Sequence, residues 1–416
     1  MESKISYRSW LVWGVAALFY LYELILRVSP SVMTNELMST FNATSTTLGI
    51  LVSFYYYAYT ILQLPCGIIL DKLGPRNLLG LSAILCVIGS VLFASYDTIS
   101  VAQIGRFLVG AGSACAFISC LQISANLFPK KYFVILAGVT NMMGTIGGLL
   151  GGAPIAKAVN SIGWHNTTYA LASIGIFIAI LIFVFVPKRI TKKAKSAIQE
   201  ESIIQLVLNL MKNSQIVLCG VVGGLMYLPI SAFSELWAVP FFMAKYGIRS
   251  QEAALASAIL FIGVAIGSLV LAILARKINS YMKTIKMGAL GAAVLFIPLL
   301  YCEFSLYAAF GFVFFIGFFT GVQVINFTCA QNNSTSEIAG TTIALINCIV
   351  MLIGSIFQPL LGLLLDISWN GKISEFGVRY YDISCYKYAI MTLPLCLLIA
   401  CLFSLFIKET INKENE

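Results

Sequence analysis

Residues 67–76 read Gly-Ile-Ile-Leu-Asp-Lys-Leu-Gly-Pro-Arg, and they close an apolar run that begins near residue 46. A glycine at position 67 lets two helices approach each other closely. Asp71 stands at the end of the run, where its carboxylate can pair with a basic partner across a helix interface. Gly74 and Arg76 complete the charged turn. We interpret Gly67, Asp71, Gly74 and Arg76 as a gating motif, because breaking the Asp71 pair would loosen one end of a helix bundle.

The same alternation of apolar run and polar turn continues along the whole chain of 416 residues, of which 59% are hydrophobic and 10% are charged. Soluble domains carry roughly 25% charged residues. The runs are about 20 residues long, which matches the hydrocarbon thickness of a bilayer. The predicted spans are 10–33, 46–70, 77–95, 99–128, 132–156, 165–187, 215–243, 251–275, 282–302, 304–330, 338–366 and 384–407. The sequence therefore predicts an all-α membrane protein with about 12 transmembrane helices.

Lysine and arginine concentrate in alternate loops, which predicts that both termini lie in the cytoplasm. The net charge of +9 follows from this asymmetry, so we expect no nucleic-acid partner. The one long cytoplasmic connection, 188–214, begins with basic residues and continues with apolar residues at near-helical spacing, and we interpret it as an amphipathic linker on the inner membrane surface. It divides the chain into an N-terminal six-helix bundle (1–187) and a C-terminal six-helix bundle (215–416), related by pseudo-symmetry.

Nothing in the sequence predicts an enzyme or a metal site. His165 is the only histidine, and the eleven cysteines include no CxxC pair. Most of the cysteines lie inside apolar runs, where we expect each thiol to behave as a small hydrophobic group.

Residues 67–76 resemble the signature loop of the major facilitator superfamily, and Arg106-Phe-Leu-Val-Gly110-Ala-Gly112 is similar to the second motif of that family. The second half keeps only Gly267, Arg276 and Lys277 of the loop. A glycine-rich stretch, 144–154, is similar to a fifth-span motif of exchangers, but we interpret it as a helix-packing face. The resemblance covers the whole chain and implies a transporter that works by alternating access.

The first two spans resemble those of organic-anion symporters, which carry a cavity-facing arginine in the first span. The run around Arg27 and the aromatic run 54–59 also resemble the phagosomal transporters of intracellular bacteria, a subgroup that imports amino acids and nucleosides. The resemblance implies a small-molecule substrate and a multi-pass protein of the bacterial inner membrane. We expect a monomer without a bound cofactor, driven by the proton gradient.

Ionisable groups inside a span are costly, so each one is a candidate functional residue. Glu23 and Arg27 are four residues apart and share one helix face. Glu235 lies in the seventh span, which is equivalent to the first in a two-repeat transporter, so we expect it to face Glu23 and Arg27. Arg106 is the fourth such group. Three alternatives stay open: Arg27 snorkels to the outer interface, Arg106 only bonds backbone carbonyls, and Glu23 is only the counter-ion of Arg27.

In the predicted mechanism Arg27 binds a substrate carboxylate, and Glu235 or Glu23 binds an ammonium group or takes up a proton, with Arg106 assigned to coupling. Further cavity residues are expected to be Tyr22, Tyr55, Tyr59, Gln122, Asn326 and Trp237. The predicted function is proton-coupled import of a small carboxylate-bearing nutrient such as an amino acid. The alternatives are an organic-anion or sugar-phosphate transporter and a drug efflux pump. Ser231 stands where organophosphate exchangers have a second arginine, which argues against a doubly charged phosphate.

Overall fold

A computed structural model describes residues 6–189, 203–335, 338–374 and 377–409 of the chain. These residues form eighteen α-helices, and the only β pairing among them is an isolated bridge between Ile373 and Arg379. The helices are α1 (Tyr7–Val28), α2 (Thr34–Thr40), α3 (Ser45–Gln63), α4 (Cys66–Ser95), α5 (Ile99–Ser113), α6 (Ala116–Leu127), α7 (Lys130–Leu150), α8 (Ala153–Phe185), α9 (Ile203–Met211), α10 (Ser214–Leu228), α11 (Ala238–Tyr246), α12 (Ser250–Lys277), α13 (Tyr281–Tyr301), α14 (Leu306–Thr320), α15 (Ile325–Asn332), α16 (Ala339–Ile367), α17 (Ile383–Ile390) and α18 (Thr392–Phe403). Short 3₁₀ segments cover Ser29–Val32, Gly321–Val324 and Ser404–Phe406, and a π-helical segment covers Pro229–Trp237.

Ten helical segments in the described part of the chain are long and apolar enough to cross a membrane. One of them, Ile135–Phe185, has 51 residues, which is more than twice the length of a single span. Gly163, with a φ of 81°, interrupts the helix inside this segment. If this long segment is counted as two spans, the ten segments contain eleven spans. The 19-residue helix α3 is the twelfth, which agrees with the number predicted from the sequence. The prediction of an all-α, multi-pass membrane protein is confirmed.

The chain divides into two compact units. The first comprises Met1–Met33 and Phe54–Ala197, and the second comprises Thr34–Ser53 and Ile198–Glu416. The predicted linker contains α9, at the position where apolar residues recur at helical spacing. Residues 190–202 of the linker lie outside the described residues, so the domain boundaries predicted at 187 and 215 stay a prediction.

Glycines permit close backbone approach inside each unit. In the first unit a Cβ at Gly147 would overlap the carbonyl oxygen of Leu21, so α7 packs directly on α1 through the glycine-rich stretch. In the second unit a Cβ at Gly267 would overlap the carbonyl oxygen of Phe318, which places α12 against α14. Van der Waals contact between small residues is the principal attraction between helices in a membrane. Gly267, the remnant of the signature loop in the second half, therefore has a packing role.

The cysteines require one correction. Cys66, at the start of α4, and Cys115, just before α6, are joined by a disulfide with a Cα–Cα distance of 5.7 Å. The expectation of a small hydrophobic thiol is therefore wrong for these two residues, because their helices are neighbours and bring the two sulfur atoms together. The expectation holds for five others, since Cys86, Cys120, Cys219, Cys348 and Cys396 are buried thiols, whereas Cys401 is half-buried.

Replacing Gly267 with alanine should destabilise the second unit, because the added methyl group meets backbone that cannot move aside without separating α12 from α14. Overpacking of this kind costs about 1–3 kcal/mol, and each kcal/mol lowers the melting temperature by roughly 2–4 °C in a unit of this size. Gly311→Ala is the matched control in α14, since a Cβ there meets nothing within 4 Å. Thermal unfolding of the purified protein in detergent measures the difference. Equal melting temperatures for the two variants would contradict the packing role.

Candidate functional site

The end of α1 is shaped by a proline. Pro30 has no N–H, so the carbonyl of Leu26, four residues earlier, loses its helical donor. Two other groups replace it: Arg106 Nη1 donates to this oxygen at 2.9 Å, and the Ser29 hydroxyl donates at 3.2 Å. The chain then continues as the 3₁₀ segment Ser29–Val32. The carbonyl next to Arg27 is thus held by a charged donor from α5.

Arg27 lies inside the first unit and is only 5% exposed. Its Nη2 donates to the Tyr56 hydroxyl at 2.9 Å, and its guanidinium carbon lies 4.9 Å from the centre of the Tyr56 ring. The Tyr55 ring is 5.8 Å away. A side chain that snorkelled to an interface would expose its charged end. The Arg27 guanidinium is instead surrounded by protein, against two aromatic rings of α3.

Glu23 lies one turn before Arg27 on α1 and is 1% exposed. Its Oε2 accepts a hydrogen bond from the Tyr55 hydroxyl at 2.7 Å. The Tyr55 ring stacks on Tyr59 with a centroid distance of 5.9 Å. The structure therefore brings four predicted site residues of the first unit together: Glu23, Arg27, Tyr55 and Tyr59.

Arg106 joins the same cluster from α5. Its guanidinium carbon lies 5.2 Å from the centre of the Tyr55 ring, in addition to the bond to Leu26. Gly110 follows one turn later on α5, and a Cβ there would overlap the carbonyl oxygen of Tyr55. Arg106 thus bonds α5 to the backbone of α1. Gly110, one turn later, lets α5 lie directly on the backbone of α3. Arg106 therefore bonds a backbone carbonyl, as one of the alternatives expected. The assignment of Arg106 to proton coupling stays a prediction.

The gating motif contacts the end of α8 within the first unit. Gly74 has a φ of 74°, a conformation that favours glycine, and a Cβ there would overlap the carbonyl oxygen of Lys188. Arg76 Nε donates to the Val186 carbonyl at 2.5 Å, which satisfies the last turn of α8. Gly67 and the side chain of Asp71 lie outside what the structure describes, so the proposed pairing of Asp71 stays a prediction.

Two other predicted residues of the first unit lie at different places. Tyr22 is buried, and its hydroxyl donates to the Leu171 carbonyl of α8 at 2.9 Å. Its hydroxyl group therefore joins two helices. Gln122 is half-buried on α6, where its backbone carbonyl accepts from the Asn126 side chain.

The predicted residues of the second unit surround a distorted helix. Glu235, 1% exposed, and Trp237 lie in the π-helical segment Pro229–Trp237. Such π segments occur frequently at functional sites. Trp237 Nε1 donates to the Gln358 carbonyl at 3.1 Å, and Gln358 Nε2 donates to the Ser231 carbonyl at 2.8 Å. These bonds to α16 supply polar partners where the helical ladder is irregular.

Asn326 is fully buried at the start of α15, where its Nδ2 donates to the Gln323 carbonyl at 3.2 Å. Glu235, Trp237 and Asn326 all belong to the second unit. Their expected placement opposite Glu23 and Arg27 stays a prediction.

Sequence reasoning missed Tyr56, which makes the hydrogen bond to Arg27. Its place in the run 54–59 marked it only as one aromatic residue among several. It also missed the role of Pro30, although a proline four residues after a carbonyl inside a span is a signal for an unpaired acceptor. No group of three or more His, Cys, Asp or Glu residues that could hold a metal occurs in the described ranges. The use of the proton gradient without a cofactor stays a prediction.

Comparison with known proteins gives a family and several relatives. The Major Facilitator Superfamily matches residues 12–359. A probable sulfoacetate transporter of Cupriavidus necator is 24% identical over 200 residues, 48% of this chain and 46% of that protein. A probable L-galactonate transporter of Escherichia coli is 28% identical over 170 residues, 41% of this chain and 37% of that protein. The hexuronate transporter of Escherichia coli is 25% identical over 165 residues, 39% and 38% of the two chains. The chain thus spans less than half the length of these relatives.

Two solved structures share the fold over almost the full length. A bacterial homologue of the human lysosomal transporter Spinster, in an inward-facing and occupied conformation, has a TM-score of 0.79 at 18% identity, covering 96% of this chain and 97% of that one. A D-xylose–proton symporter has a TM-score of 0.75 at 17% identity, covering 96% and 98%.

The family and its relatives are transporters, so the prediction of a transporter rather than an enzyme is confirmed. The fold is that of a multi-pass membrane protein. From the match over residues 12–359, the chain belongs to the major facilitator superfamily.

Proposed function

We propose that this protein is a proton-coupled secondary transporter that imports a small carboxylate-bearing solute by alternating access. The observation that carries the proposal is the burial of the Arg27 guanidinium among tyrosines. We further expect a monomer in the bacterial inner membrane, with both termini in the cytoplasm and no bound cofactor.

A guanidinium held inside a span, away from lipid headgroups, costs free energy, so an arginine at such a place is a candidate functional residue. Arginine suits carboxylate recognition because its planar fork presents two parallel N–H donors. The Tyr56 hydroxyl accepts a hydrogen bond from Arg27 Nη2, and the guanidinium lies against the Tyr56 ring. The bond from Arg106 to Leu26 fixes the backbone one residue before Arg27, so the fork is oriented before the substrate arrives. Such preorganisation reduces the entropic cost of binding.

We favour a hydroxylated organic acid as substrate. The relatives named above are described as transporters of sulfoacetate, L-galactonate and hexuronate, all of which carry an acid group. The Arg27 guanidinium suits one carboxylate, while Arg106 in the same cluster donates to the Leu26 carbonyl, and the tyrosine hydroxyls of α3 can exchange hydrogen bonds with substrate hydroxyls. A sugar phosphate would need a second cation, and the seventh span carries Ser231 instead of arginine.

An amino acid is the second candidate, and Glu235 is the observation that favours it. The buried Glu235 carboxylate can pair with an ammonium group, which an amino acid carries and a simple organic acid does not. For an organic acid, Glu235 would carry the coupled proton. A drug efflux pump needs neither charge, so the buried Arg27 and Glu235 argue against it.

Replacing Arg27 with glutamine should abolish uptake of D-glucuronate into proteoliposomes and remove thermal stabilisation by this ligand. Truncating one partner of a buried charge pair costs about 2–5 kcal/mol, which raises the dissociation constant roughly 30-fold or more. Arg249→Gln, an exposed arginine before α12, is the matched control and should keep both signals. If glucuronate fails with the unmodified protein, glycine and alanine replace it in the same assay. Full ligand stabilisation of the Arg27 variant would overturn the assignment.

Replacing Glu235 with glutamine should uncouple transport from the proton gradient, because the amide cannot exchange a proton. We expect uptake driven by an inwardly directed pH gradient to fall at least about tenfold, because a positioned proton-transfer group contributes a large factor to a rate. Exchange of labelled for unlabelled substrate should continue. Glu252→Gln, exposed in the first turn of α12, provides the comparison. A Glu235 variant that still accumulates substrate in response to the pH gradient would exclude this residue as the proton carrier.

A further inference from the structure

The second unit contains a cavity of about 480 Å³, and Arg27 and the residues clustered around it are not among its lining residues. We name it the outer cavity, because its walls come from connections that the distribution of basic residues predicts to be external. Its lining includes Ser45, Trp237, Ser374, Arg379, Tyr381 and Tyr386. A volume of this size is within the range of cavities that hold small organic ligands.

The lining has a defined chemical character. Trp237 and Tyr386 present aromatic rings, and both are nearly buried. Ser374 and Tyr381 add hydroxyl groups. Arg379 is the only charged side chain among the described residues that line the cavity. Apolar walls with a few placed polar groups and one charge are typical of small-molecule sites, and the sign of the charge selects an anion.

The backbone around Arg379 is ordered by its own hydrogen bonds. Ser374 N–H donates to the Val378 carbonyl at 2.8 Å, and Tyr380 N–H donates to the Lys372 carbonyl at 3.0 Å. The Arg379 guanidinium carbon lies 4.4 Å from the centre of the Trp369 ring. The cation is therefore stacked on an aromatic face, and its side chain remains 36% exposed.

Asp366, at the end of α16, accepts a hydrogen bond from one nitrogen of the Arg379 guanidinium. Arg379 Nη1 donates to Oδ1 at 3.2 Å, and the Tyr381 hydroxyl donates to the same oxygen. Oδ2 accepts the Thr46 N–H at 2.9 Å and the Thr46 hydroxyl at 2.5 Å. Burial, together with the bond to Asp366, raises the pKa of Tyr381 to about 12, so its hydroxyl stays a donor at neutral pH. Asp366 thus has three donors besides Arg379.

We propose that the outer cavity is a second binding site for the transported organic acid, with its carboxylate on Arg379 and its carbon skeleton against the aromatic walls. The arginine fork has five N–H donors, of which the bond to Asp366 uses one. Thr46 and Tyr381 continue to satisfy Asp366 when a substrate carboxylate shares the fork. The site rests on the proposed function for the identity of its ligand, but it is separate from Arg27.

The position of the cavity connects binding to helix α3. Asp366 holds Thr46 in the first turn of α3, and a Cβ at Gly362 would overlap the Ser45 carbonyl oxygen, so this turn lies directly on α16. Arg379 and Tyr381 line the cavity and also bond Asp366. A ligand in the outer cavity therefore touches the side chains that hold the start of α3.

Trp369 provides a direct reporter of the site, because its ring lies against the Arg379 guanidinium. We expect D-glucuronate to change the tryptophan fluorescence of the purified full-length protein saturably, and D-glucose, which lacks the carboxylate, to leave it unchanged. Trp369→Phe should reduce the signal without removing the charge, and the part that remains should come from Trp237, which lines the cavity itself. Four other tryptophans stay in that variant and show how much of the change belongs to Trp369.

Arg379→Gln should raise the dissociation constant from this signal at least about tenfold, as expected for a lost charge-assisted contact. Lys372→Gln is the matched control in the same loop, because Lys372 pairs with Asp382 at 3.5 Å and does not line the cavity. Hydrogen bonds from Ser384 lower the pKa of Asp382 to about 2, so the Asp382 carboxylate is ionised at neutral pH. Thermal stabilisation of Arg379→Gln by glucuronate through Arg27 verifies that the variant is folded.

The Arg27→Gln variant separates the two proposals. If its Trp369 signal persists while its uptake is lost, both proposals are supported. If the signal persists and uptake is unchanged, the outer cavity stands and the Arg27 assignment fails. A signal that vanishes in Arg27→Gln but survives in Arg379→Gln would overturn the outer site, as would equal responses to glucuronate and glucose.

Discussion

Polar groups inside apolar helices need partners from the protein, and the carbonyl of Leu26 is where the first unit depends on this most. Because Pro30 has no N–H, the Leu26 carbonyl lacks its helical donor, and it accepts instead from the Ser29 hydroxyl and from Arg106 of α5. That bond places a cation beside Tyr55 and fixes the backbone that carries Arg27. Tyr55 in turn donates to Glu23, and Tyr56 accepts from Arg27. The N–H that Pro30 lacks, just beyond the end of α1, is thus part of the contacts that join α1, α3 and α5 around the candidate carboxylate site.

Small residues decide which helices are able to approach. Gly110 admits the Tyr55 backbone next to α5, and Gly147 admits α1 next to α7. In the second unit Gly267 has the same function between α12 and α14. A membrane supplies little hydrophobic force between helices, so their association depends on close packing at these glycines. The side-chain contacts at the site therefore depend on the same packing. Helix packing and site geometry are therefore one problem in this protein.

The sequence predicts the spans well because the thickness of the bilayer and the cost of exposed backbone leave few alternatives. It also identifies Glu23, Arg27, Arg106 and Glu235, since a charge inside a span is rare. It does not distinguish Tyr56 from its neighbours, because the rotation of α3 is set by the contact with Gly110. The Asp366 cluster was missed for a related reason: Thr46 lies 320 residues from Asp366, and an irregular loop brings Arg379 and Tyr381 back to it, so only tertiary packing joins the four residues. The break at Pro229–Trp237 likewise depends on partners in α16.

The proposed function requires that the Arg27 guanidinium binds the carboxylate of the transported solute. An experimental structure of the protein with a bound carboxylate substrate tests it most directly. The account predicts both carboxylate oxygens at about 2.7–2.9 Å from the nitrogens of the Arg27 fork, with the Tyr56 hydroxyl still in contact with the guanidinium. A substrate bound elsewhere in the transporter, with no oxygen within hydrogen-bonding distance of Arg27, would contradict it.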